Sequence, residues 1–111
     1  MERRLAQRFK IHVPIIVEWL DQSKTVRRGV GFTRDASSKG VFAWCEGDCP
    51  PFESEIAVAL LFPGAGPDAK PWRMRSNGRV VRVVDTPEGK GFAASLEGLG
   101  RATGPPWPPI Q

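Results

Sequence analysis

IHVPIIVEW, residues 11–19, sets the fold class. Ile11, Val13, Ile15, Val17 and Trp19 take every second position, with His12, Pro14, Ile16 and Glu18 between them. A period of two marks a strand with one face in a core, because successive side chains of a strand point to opposite faces. Pro14 has no amide hydrogen, so this strand is expected at a sheet edge or around a bulge where that donor is not needed.

Similar segments recur downstream. Residues 28–34 carry Val30 and Phe32 on one face, and residues 40–45 open a new apolar run with Val41 and Phe42. Residues 55–62 alternate Ile56, Val58, Leu60 and Phe62 with Ala57, Ala59 and Leu61. Such a segment is too apolar to expose either face and reads as a central strand. Residues 73–85 are long and basic, with Gly78 as the expected bulge or bend. Residues 90–96 place Phe92, Ala94 and Leu96 on one face. Turn-forming clusters separate the segments: DQSK, EGDCPP, PGAGPDAKP and TPEG. Six short strands at near-regular spacing predict an all-β domain, a small antiparallel barrel or sandwich. A helical turn is conceivable only at residues 2–9, and the Pro-rich end GPPWPPIQ is expected to be extended or disordered.

The 111 residues, 41% hydrophobic and 25% charged, fit one folded domain and exclude general disorder. Lys and Arg total 16 against 12 for Asp and Glu, a net charge of +4 that favours anionic partners. Arg3, Arg4, Arg8 and Lys10 concentrate this excess at the amino end, opposed there by Glu2. His12, Pro14 and Glu18 interrupt the first apolar stretch, and no run approaches the ~20 residues of a membrane span, so a cytoplasmic protein is expected. Cys45 and Cys49 with one distant His are too few for a structural zinc site, so reduced cysteines and no metal are expected. No nucleophile, general base and orienting group form a recognisable motif, which argues against an enzyme.

TRDASSKGVF, residues 33–42, admits two readings. As a turn between strands it needs no ligand, because Asp and Ser bond nearby amides and Gly accepts positive φ. As a site, an Asp carboxylate matches the paired N1 and N2 donors of guanine, a Ser hydroxyl donates or accepts, and Gly lets a ligand approach the backbone. The amino-terminal arginines are equally open: a solvated basic arm, or guanidinium forks that pair with phosphate and stack on aromatic planes. Arg4 and Arg8, four apart, project to one side of a helical turn or straddle one ligand from a flexible arm.

Together, Arg4-x-x-x-Arg8 before the first strand and Asp35-x-Ser37-x-x-Gly40 after the second resemble the PilZ family of cyclic di-GMP receptors. GKGFAASL, residues 89–96, is similar to that family's last strand. The resemblance implies a six-stranded antiparallel β-barrel binding cyclic di-GMP on its outer face, without catalysis or cofactor, and signalling to a separate effector protein. It implies that Arg4 and Arg8 contact phosphates and guanine, with Arg3 assisting. Asp35 and Ser37 would bond guanine and phosphate, and Gly40 would leave room for the base. It further implies an arm, residues 1–10, that is mobile until ligand folds it onto a barrel of residues 11–98, with a flexible Pro-rich tail at 99–111. Many members end in a helix, which the glycines and prolines after Leu96 oppose. Two other functions compete: a basic barrel binding single-stranded nucleic acid, with arginines along the backbone and Trp residues for stacking, and a PilZ-like interaction domain that no longer responds to ligand. The retained motifs argue against the last.

Overall fold

The computed structural model describes residues 9–64 and 66–102. Seven strands follow in chain order: β1 Pro14–Leu20, β2 Val26–Ser37, β3 Gly40–Cys45, β4 Glu55–Phe62, β5 Trp72–Thr86, β6 Gly89–Leu96 and β7 Gly100–Ala102. The sheet order β4-β1-β2-β3-β6-β5 closes through pairing of β4 with β5, and every pairing is antiparallel. The architecture is therefore a closed six-stranded barrel rather than a sandwich. Closure removes the edges that an open sheet would leave unpaired. No helix occurs among the described residues. Gly100–Ala102, within the segment expected as tail, pairs with Arg73–Arg75 of β5 and prolongs the sheet beyond the end of β6.

The interior is filled by the alternating residues that the sequence marks. Val13, Ile15, Val17 and Trp19 point inward, as do Ile56, Val58 and Leu60 from β4 and Phe92, Ala94 and Leu96 from β6. Burying a residue of this size contributes roughly 1.5–3 kcal/mol, so this set carries most of the driving force for folding.

Three expectations need correction, and a fourth is sharpened. Pro14 does not mark an edge, since β1 pairs with both β2 and β4. It is tolerated as the first residue of the strand, one position before β1–β4 pairing begins at Ile15. Val30 and Phe32 share one face as expected, and it is the outer one, since Gly29, Gly31 and Thr33 are the buried positions and Val30 is exposed. Residues 33–37 are not a loop, because β2 runs through Ser37 and only Ser38 and Lys39 form the turn. Gly78 is not the bulge of β5. It pairs regularly with Ile56 and Leu96, and the register shifts between Val80 and Arg82. Glycine at 78 answers a steric need, since a Cβ there would lie 2.1 Å from the Ser95 carbonyl oxygen.

The outer face carries polar residues that the closed barrel holds in place. Glu18 is buried although it points outward, and Arg28 grips its Oε2 through Nε at 2.9 Å and Nη2 at 2.5 Å. At the end of β2 remote from Ser37, Asp21 accepts from the Ser23 hydroxyl at 2.7 Å and from the amides of Ser23 and Thr25, which closes the β1–β2 turn.

Candidate functional site

A bulge in β2 decides which way the motif points. Thr33 pairs with Ala43, and Asp35 pairs with the next residue, Phe42, so Arg34 is the extra residue. Uninterrupted alternation would put Thr33, Asp35 and Ser37 on one face. With the bulge, Thr33 stays inside while Asp35 and Ser37 join Phe42 and Gly40 outside, and Ala36 joins Val41 in the core. Thr33, turned inward, fastens the chain that leads into β1: its hydroxyl donates to the Ile11 carbonyl and accepts the Val13 amide at 3.0 Å.

Asp35 and Ser37 are both largely buried, at 9% and 8% exposure, on the outward side. Arg34 Nε donates to Asp35 Oδ2 at 2.7 Å. Ser37 Oγ accepts the Lys39 amide at 3.2 Å. The turn is pinned from β6 and beyond it, by the Leu96 amide on the Lys39 carbonyl and the Leu99 amide on the Ser38 carbonyl. No residue from Ser37 to Gly40 has a positive φ. Glycine at position 40 is thus not demanded by the backbone, and turn chemistry does not explain it.

Beside the motif lies an aromatic floor. Phe42 is 2% exposed yet points outward, and its burial comes from side chains laid over it. The Arg34 guanidinium carbon sits 4.1 Å from the ring centroid, that of Arg82 5.8 Å, and Trp44 meets the ring edge to face at 5.1 Å. Gly91 of β6 makes room for this arrangement, because a Cβ there would lie 2.9 Å from Trp44 and 3.1 Å from Phe42. Phe32 continues the surface, stacked at 4.9 Å by His12.

Arg3, Arg4 and Arg8 lie outside the described residues. Their point of attachment is described. Phe9 forms an antiparallel bridge with Ala36, each amide donating to the other's carbonyl at 2.9 Å. Covalent geometry keeps the Arg8 Cα about 3.8 Å from that of Phe9. The basic arm therefore joins the barrel beside the residue between Asp35 and Ser37, a juxtaposition of the two motifs that sequence separation alone does not give.

No group of three or more potential metal ligands occurs among the described residues, and no described helix is long and apolar enough to cross a membrane. Cys45 and Cys49 are free thiols, half-buried against the core. A thiol hydrogen bond between them, with burial, pushes Cys45 up, and accepting that bond near the Lys90 ammonium holds Cys49 below the ordinary thiol range. Since the thiolate is the nucleophile, iodoacetamide is expected to label Cys49 first, at pH values where an ordinary thiol is mostly protonated, and to spare Cys45. Mass-spectrometric mapping checks this, and Lys90→Ala should slow the labelling of Cys49 by removing a charge that favours its thiolate.

Comparison with known proteins supports the architecture. No protein-family profile matches the chain, and no curated protein matches it by sequence. Among solved structures it is similar to the Bacillus subtilis inhibitor of motility MotI/DgrA, with a TM-score of 0.63 and 12% identity over 90% of this chain. The chain spans 45% of that protein's length. The likeness establishes a shared fold, a closed antiparallel β-barrel.

Proposed function

We propose that this chain is a non-enzymatic, cytoplasmic receptor for cyclic di-GMP that passes its ligand-bound state to a separate effector protein. The observation that carries this reading is the Phe9–Ala36 bridge, which roots the arginine arm between the two acceptor side chains of the motif strand. In the proposed complex Asp35 accepts from guanine N1 and N2, Ser37 bonds the base or a phosphate, and Gly40 leaves the base unobstructed. Arg4 and Arg8, assisted by Arg3, clamp the phosphates and stack on guanine. Likeness of fold to an inhibitor of motility is compatible with a regulatory role.

Calorimetric titration with cyclic di-GMP tests the proposal. Charge-assisted hydrogen bonds contribute about 1.5–3 kcal/mol each, so a few of them against the cost of ordering the arm give micromolar affinity, about −8 kcal/mol. Cyclic di-AMP serves as the control, because adenine lacks the N1 donor that a carboxylate would accept. Absence of heat at tens of micromolar with folded protein would overturn the receptor reading. Binding to single-stranded RNA instead, falling about a thousandfold or more between 50 and 200 mM salt, would favour the nucleic-acid alternative.

A further inference from the structure

We infer that the ligand surface extends from Asp35 across the barrel wall to Arg82, which supplies a phosphate-binding guanidinium from β5. The inference rests on the cyclic di-GMP reading and adds to it a contact outside both motifs.

Two bulges carry it. The bulge at Arg34 turns Asp35 outward, and the bulge in β5, between Val80 and Arg82, does the same for Arg82 on the other side of the β3–β6 pair. Val80 pairs with the core residue Ala94, so regular alternation would turn Arg82 inward as well; the extra residue, Val81, instead aligns Arg82 with Ala93. Asp35, Phe42, Ala93 and Arg82 then form one cross-strand row on the outer face. Three strand spacings of 4.7–4.9 Å make this row roughly 14 Å long, the scale of a dinucleotide rather than of one base. Its acceptor end suits guanine, the small Ala93 lies in its middle beside the covered Phe42, and Arg82 reaches back over Phe42 from the far strand.

Arg82 is also distinguished by its partners. Arg27, Arg28, Arg34 and Arg79 are paired with Asp21, Glu18, Asp35 and Glu55. Arg82 has no carboxylate partner among the described residues; it is exposed and reaches over an aromatic ring. A guanidinium held 5.8 Å from the Phe42 ring centroid, without a carboxylate partner among the described residues, is arranged for bidentate contact with a phosphate.

Arg82→Met tests this, since methionine can still cover Phe42 while removing the charge and the fork. The measurement is calorimetric titration of wild type, Arg82→Met, Arg82→Lys and Arg27→Ala with cyclic di-GMP at two salt concentrations, with thermal melts confirming each fold. Arg82→Met is expected to weaken binding about tenfold and to make it less sensitive to salt, Arg82→Lys to recover part of the loss, and Arg27→Ala, which removes the same charge at the remote end of β2, to bind as wild type. Wild-type affinity in Arg82→Met, in a protein whose binding is lost in Asp35→Ala, overturns the extended surface and leaves the receptor reading standing. Equal losses in Arg82→Met and Arg27→Ala overturn it as a site, because net charge alone would then explain the effect. No binding by the wild type overturns the receptor reading and this inference with it.

Discussion

Asp35→Ala is expected to weaken cyclic di-GMP binding by a hundredfold or more while leaving the barrel folded. In the proposed complex the carboxylate accepts two guanine donors, each charge-assisted bond contributes about 1.5–3 kcal/mol, and 1.4 kcal/mol is a factor of ten. Asp35 points outward from β2, and thermal melts confirm the fold of each variant before titration. Asp35→Asn sharpens the test, because an amide offers one acceptor and sets its NH2 against a guanine donor. It should bind nearly as poorly as Asp35→Ala although its shape is conserved. Calorimetry reads both variants, and wild-type affinity in either would show that guanine is not held at Asp35.

Much of this surface was legible in the sequence, and what was not depends on register. Strands β3 and β4 begin and end where alternation and turn residues place them, and the inward faces of β1, β4 and β6 follow from Ile15, Val17, Ile56, Val58, Phe92 and Ala94. In β2 hydrophobicity misleads. Its inward positions are Gly29, Gly31 and Thr33, because neighbouring backbone passes too close for a large side chain, so the larger Val30 and Phe32 fall on the outer face. The bulges at Arg34 and Val81 contain neither Gly nor Pro, so nothing in the local composition announces them. Asp35, Ser37 and Gly40 were recognisable as a motif. That they are wall residues facing outward, with Phe42 as their floor and Arg82 in their row, follows from which strands pair and in what register.

The same close approach predicts the largest effect on stability. Gly31 pairs with Ile15 on one side and Cys45 on the other, and its φ is not positive, so its backbone conformation is open to any residue. Space is the constraint. A Cβ at Gly31 would lie 1.9 Å from the Trp44 carbonyl oxygen, 2.9 Å from its carbonyl carbon and 3.1 Å from the Cys45 Cα. All three are backbone atoms, so no rotamer change relieves the overlap, and β3 must move away from β2. Overpacking that forces backbone shifts costs about 1–3 kcal/mol and occasionally more, and Gly31→Ala is placed at or above about 3 kcal/mol by the depth of this overlap. Gly100→Ala is the control: nothing lies within 4 Å of its added Cβ and its φ is not positive, so it should stay within about 0.5 kcal/mol of wild type. Urea unfolding of the two variants measures the difference. The displacement also reaches the site, because β3 carries Trp44, Phe42 and Gly40, and moving it from β2 separates the aromatic floor from Asp35. Gly31→Ala protein that still folds should therefore bind cyclic di-GMP more weakly although it alters no proposed ligand contact. Wild-type stability in Gly31→Ala would mean that β2 and β3 do not approach this closely at Gly31.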